Sequence, residues 1–286
     1  MINVLELFSG TKSVGKVCDS LGWNSVSVDL LLPADHQVDI MNFDYKQYPK
    51  DYFDIVWASP PCTFYSNLQN CWIGRKKKDG IILTKEIIEE NMNEADKLVL
   101  KTLEIIEYFD CEYWFMENPQ TGKLKNREVV KGLPFYDVDY CMYSDWGYKK
   151  RTRIWTNKKD WKNKLCDGSG SCGNMIETQH QKVLANGYEM IDGKKVLCNT
   201  KEKRDKLRKH KLNVSKDVHT IGEKKKYTQH QITADGGYDK RRKHQKGIGL
   251  GKKQTDAGQV SVKGGGTNRL DRYRIPEDLI YSLFLD

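Results

Sequence analysis

Hydrophobic positions in the first 157 residues switch repeatedly between two periods. Ile2 to Leu7 is apolar, Ser9-Gly10-Thr11 follows, and Val14, Val17, Cys18 and Leu21 then recur at helical spacing. That pattern predicts a strand running through a glycine turn into a helix. Trp23 to Asp29 alternates as a second strand, and a third short segment ends at Val38-Asp39-Ile40. Tyr52 to Ala58 is a continuous apolar run, typical of a strand covered on both faces, and it stops at Ser59-Pro60-Pro61. Thr84 can cap a long helix whose stripe of Ile88, Met92, Ala95, Val99, Leu103 and Ile106 steps by three or four. Tyr113 to Met116 reads as another buried strand, and Tyr140 to Tyr143 and Arg153 to Thr156 as two more. Periodicity then fades until Ile275 to Phe284. Strands alternating with helices predict an α/β fold around a mostly parallel sheet.

Composition narrows the class. At 286 residues, with 38% hydrophobic and 30% charged positions, the chain can build a real core and is too apolar to be disordered throughout. A mean hydropathy of −0.71 and the lack of a long apolar run exclude helical membrane spans. The start, Met1 to Glu6, lacks the basic flank and apolar stretch of a signal peptide, so a cytoplasmic location is expected, or the host-cell interior for a viral protein. Eight cysteines are too sparse for a disulfide scaffold and read as buried thiols, metal ligands or a nucleophile. The net charge of +9 is unevenly placed. Between Lys201 and Lys253, 18 Lys/Arg face 6 Asp/Glu, which leaves the rest of the chain at −3. Such a window suits phosphate and points to a nucleic-acid partner.

Four features fall where predicted strands end, the edge at which open α/β sheets bind ligands. Gly10 and Gly15 follow the first strand, without the Lys-Ser/Thr of a triphosphate loop. Asp29, 19 residues after Gly10, can accept hydrogen bonds from ribose hydroxyls, so the pair suits an adenosine cofactor. Two prolines after the buried strand at Tyr52 to Ala58 stiffen the backbone and set Cys62 in a loop at the edge. Glu117 follows Tyr113 to Met116, where a carboxylate beside an apolar wall could serve as a proton donor. Arg151 and Arg153 alternate, so both guanidinium groups should share one strand face, suited to a base oxygen or a phosphate.

In this order the features resemble the DNA cytosine-5 methyltransferase family, in particular its small phage- and virus-type members. Phe8-Ser9-Gly10 through Gly15 is similar to the family's cofactor glycine motif, Asp29 to its ribose acid, and Asp39 to the acid near the adenine amino group. Pro61-Cys62 is similar to its nucleophile loop, Glu117-Asn118 to its Glu-Asn pair, and Arg151 and Arg153 to its paired arginines. The likeness covers about residues 1–157 and, more weakly, Arg274 to Ile280. Thr63, Pro119 and Lys149 depart from the usual motif residues, and the late Gly-Asn motif is reduced to Gly266-Thr267-Asn268.

The resemblance implies a Rossmann-like S-adenosylmethionine-dependent methyltransferase fold, with cofactor contacts from Phe8, Ser9, Gly10, Gly15, Asp29, Asp39, Ile40, Ser59 and Pro60. It implies catalysis by Cys62, Glu117, Arg151 and Arg153 on a flipped-out cytosine of double-stranded DNA, by a monomer with no membrane association. It divides the chain into a catalytic domain (1–157), a basic target-recognition segment (158–268) and a C-terminal segment (269–286) packing back on the first. A tRNA cytosine methyltransferase would share the catalytic residues, and a silent nucleic-acid-binding module would share the fold. Within the recognition segment Cys166, Cys172, His180 and Cys198 form a candidate zinc set, although their spacing is not a standard ligand pattern.

Overall fold

In a computed structural model, residues 1–77, 79–176, 179–180, 188–191, 194–197 and 273–286 are described. The basic window, Cys198 and Gly266-Thr267-Asn268 lie outside them. A six-stranded mixed sheet organises the fold: β1 (Asn3–Leu7), β2 (Asn24–Val28), β3 (Ile55–Ala58), β4 (Tyr113–Pro119), β5 (Phe135–Asp139) and β6 (Arg151–Thr156). Their order is β2-β1-β3-β4-β6-β5, and only β6 runs antiparallel to its neighbours. The chain leaves β1 for one side and returns on the other with β3, so the strand order reverses at β1. A crevice opens at the carboxyl end of such a switch point.

β1 and β3 are almost wholly buried, as expected for parallel strands covered on both faces. Helix α1 (Ser13–Leu21) follows β1, and helix α2 (Lys85–Phe109) starts at Thr84, whose hydroxyl accepts the Ile87 amide. Helix α3 (Glu277–Leu285) brings Phe284 against Trp57 of β3 and Phe115 of β4, with ring centroids 6.2 and 5.8 Å away. Lys158 Nζ donates to the Leu283 carbonyl at 2.7 Å, and the Ile275 amide to Ser13 Oγ at 3.2 Å. Among the described helices none is long and apolar enough to cross a membrane.

Two expected strands are turns instead. Asp39 accepts the Met41 amide and caps a 3₁₀ turn at Ile40–Asn42, because a short acid competes well for local amides. Tyr140–Met142 is also a 3₁₀ turn, with the strand immediately before it as β5. The chain divides into two compact units. One comprises Met1–Tyr143, Lys150–Leu165 and Ile275–Asp286, and the other Ser144–Lys149 and Cys166–Arg274. In the second, β7 (Met175–Ile176) pairs with β8 (Gln179–His180), and β9 (Tyr188–Ile191) with β10 (Lys194–Leu197).

Candidate active site

Strand register sets the site. Val28, Leu7, Ala58 and Met116 are aligned across β2, β1, β3 and β4, so the residues one step beyond form a row: Asp29, Phe8, Ser59 and Glu117. Four loops read separately in the sequence therefore meet at one edge.

The β1–β2 half is built from backbone. Phe8, Gly10 and Lys12 have φ of 56°, 54° and 53°, an alternation of left-handed residues. For a residue as large as Phe this is a strained conformation, and such strain gathers at binding sites. Asp29 holds the turn: Oδ2 accepts the Gly10 amide at 2.9 Å, and Oδ1 accepts the Leu31 and Leu32 amides at 2.7 Å each. A carboxylate oxygen has two acceptor sites, so one remains on Oδ2. Among the described residues, nothing bonds the buried Ser9 Oγ. Gly15 serves a neighbour, since Glu6 accepts the Val14 and Gly15 amides at 3.1 and 3.0 Å and a Cβ on Gly15 would lie 3.4 Å from that carboxylate. Burial raises the Glu6 carboxyl to about 7 against the pull of those two amides. Asp39 is half-buried and Ile40 buried.

The β3–β4 half is built from side chains. Pro60 is buried, and Asn118, fully buried on β4, donates from Nδ2 to the Pro60 carbonyl at 2.8 Å. That bond ties the Pro-Pro-Cys loop to the strand bearing Glu117. Ser59 Oγ accepts the Trp57 indole N–H at 3.1 Å. Cys62 is half-buried at the start of a 3₁₀ turn, Thr63–Tyr65. The turn is anchored by Tyr65, which donates to Asp96 of α2 at 2.9 Å. Arg127 closes on the same carboxylate from Nε at 2.8 Å and from Nη2 at 2.6 Å. Burial pushes the Cys62 thiol above its ordinary range; the Lys150 cation opposes this and the Glu117 carboxylate adds to it.

Glu117 is buried, with three donors on one oxygen: Oε1 accepts from Tyr140 Oη at 2.9 Å, Thr152 Oγ1 at 3.2 Å and Lys150 Nζ at 3.3 Å. Among the described residues nothing bonds Oε2, which remains available to a ligand. Lys150 Nζ also lies 4.5 Å from the centre of the Tyr140 ring. Sequence reading missed Tyr140, Lys150 and Thr152. For the last two, period-2 alternation along β6 was the available signal, since Lys150, Thr152 and Ile154 share a face and Ile154 is directly opposite Glu117.

That alternation sets Arg151 and Arg153 on the opposite face. Arg151 forms a two-point pair with Asp139 at 3.0 and 2.7 Å, and Arg153 with Asp137 at 2.7 and 2.9 Å. The Arg153 guanidinium also stacks 3.5 Å over the Phe135 ring. The structure thus keeps the two arginines together, as the spacing predicts, and holds them against β5 rather than beside Glu117. Lys149 belongs to the second unit and donates to the Cys166 carbonyl at 2.9 Å.

No family model matches the chain. A curated relative from Frog virus 3 (isolate Goorha), named "Probable DNA (cytosine-5)-methyltransferase", is 43% identical over 176 residues, which is 61% of this chain and 79% of the relative. The Entamoeba histolytica methyltransferase EhMeth matches at 16% identity and TM-score 0.39, covering 58% of this chain and 56% of that one. The S. pombe Dnmt2 methyltransferase matches at 13% and 0.36, covering 58% and 53%. The chain thus spans just over half the length of those two solved structures. Close identity to the viral relative over most of its length puts this chain in the DNA (cytosine-5)-methyltransferase family.

Proposed function

We propose that the protein transfers a methyl group from S-adenosylmethionine to C5 of a cytosine flipped out of double-stranded DNA, acting as a monomer in the cell interior. The observation that carries this reading is Glu117 clamped through Oε1 with Oε2 left for a ligand, on a strand tied to the Cys62 loop through Asn118 and Pro60.

Residues of the β1–β2 half fit the cofactor. An adenosine ribose finds a remaining acceptor on Asp29 and, among the described residues, an unpartnered buried hydroxyl on Ser9. Asp39 and Ile40 complete the proposed shell for its base. When bound, the cofactor's sulfonium supplies the electrophilic methyl group.

Cytosine C5 is a poor nucleophile, and adding a thiolate to C6 turns the ring into an enamine that is a good one. Cys62 is the thiolate in this reading. The Cys62 proton passes to solvent water as the sulfur bonds C6, and the Lys150 cation favours the charged sulfur. Glu117 Oε2 donates a proton to ring N3 and so draws electron density away from C6. After C5 gains the methyl group it loses its own proton to a base, and the electron pair left behind expels the Cys62 thiolate. Flipping the base costs a few kcal/mol in lost stacking, which phosphate contacts from the basic 201–253 window would offset.

Cys62→Ala should reduce methyl transfer to background while leaving cofactor affinity intact. The measurement pairs incorporation of labelled methyl into a cytosine-containing duplex with a cofactor titration, and full turnover by the variant overturns the assignment. Base-resolution mapping of 5-methylcytosine in the nucleic acids of a methylation-free host should mark the DNA; marks confined to RNA would move the substrate to that class.

A further inference from the structure

The 166–180 segment of the second unit is tightly wound. Gly168, Gly170 and Gly173 all have φ between 69° and 95°. Asn174 accepts the Gly147 amide at 2.8 Å and donates to the carbonyls of Ser144 and Cys172 at 2.7 and 3.0 Å. Met175 pairs with His180, which turns the imidazole back over the loop.

This winding gathers three ligand atoms. Cys166 Sγ and Cys172 Sγ lie 3.7 and 3.6 Å from the same nitrogen, His180 Nε2, and the three atoms are all within 4.8 Å of one another. These separations match those of ligands sharing one ion. With Zn–S near 2.3 Å and Zn–N near 2.0–2.1 Å at tetrahedral angles, sulfur and nitrogen should be about 3.6 Å apart. Two thiolates and an imidazole favour zinc over the oxygen-seeking cations.

We infer that Cys166, Cys172 and His180 bind a structural Zn²⁺ that holds the 166–180 loop in its wound form. Zinc binding of this kind contributes folding free energy to the segment that supplies the ligands. The inference is independent of the proposed methyl transfer.

The full-length chain, purified from zinc-supplemented medium without chelator, is expected to hold one zinc per chain by elemental analysis. Cys172→Ser and His180→Ala should lose it, whereas Cys71→Ser, at an exposed thiol, should not. His180→Cys keeps a zinc ligand at that position and should retain the ion, separating ligand loss from misfolding. Cobalt(II) substitution should give the intense visible absorption of a tetrahedral thiolate site. Zinc-free wild-type protein, a disulfide between Cys166 and Cys172, or full occupancy in Cys172→Ser and His180→Ala overturns the site.

Discussion

The two halves of the sheet's carboxyl edge are built by opposite means. Beside β1 and β2, strained backbone and one carboxylate holding three amides form the loop, and the atoms left for a ligand are a lone pair on Asp29 and a hydroxyl on Ser9. Beside β3 and β4, the chemistry rests on side chains that come from distant parts of the chain: Cys62, Glu117, Tyr140, Lys150 and Thr152. The binding loop draws on two neighbouring strand ends, with Asp29 reaching 19 residues back to the Gly10 amide and only two or three forward to Leu31 and Leu32. A reacting centre needs charges opposed at short range, and only packed elements hold them there.

This contrast can be broken experimentally. Glu117→Gln keeps the size and one acceptor of the side chain but removes its proton chemistry, so kcat should fall by about 10²–10⁴-fold with cofactor affinity unchanged; an equal loss in both would erase the distinction between the halves. Lys150→Met removes the cation that opposes the rise of the Cys62 pKa, so that pKa should climb further. The limb of the pH–rate profile that needs the thiolate then moves to higher pH, by up to about one unit for an interaction on the order of 1 kcal/mol. A shift to lower pH would show that the lysine acts otherwise. Gly10→Ala tests the other half: a Cβ at φ 54° meets no close contact but costs roughly 1–2 kcal/mol in the left-handed region. Cofactor affinity should drop several-fold, with kcat at saturating cofactor nearly unchanged.

Legibility followed the same divide. The buried strands at 2–7, 52–58 and 113–116 and the helix after Thr84 were readable because continuous apolar runs and a capped apolar stripe are local signals. Val38 to Ile40 and Tyr140 to Tyr143 read as strands but are turns, since a short apolar stretch does not reveal whether a partner strand awaits it. Alternation correctly joined Arg151 and Arg153 on one face. Which face meets Glu117 depended on the register of β6 against β4, and Asp137 and Asp139 on β5 claimed the arginines. Tyr140 lies 23 residues from Glu117, and no spacing rule connects them.

By itself the sequence determined that the chain forms a mainly parallel α/β sheet, that glycines and an acid follow its first strands, and that Cys62 and Glu117 each stand just past a buried strand. Those are properties of adjacent residues: period, turn chemistry and the stiffness of proline. Tertiary structure decided that these strand ends align in one row, that Glu117 turns one oxygen to three donors and keeps the other available, and that two thiols and an imidazole converge in the second unit. Register and side-chain face are fixed only when strands from distant parts of the chain pack together, so contacts between them have no signature in neighbouring letters.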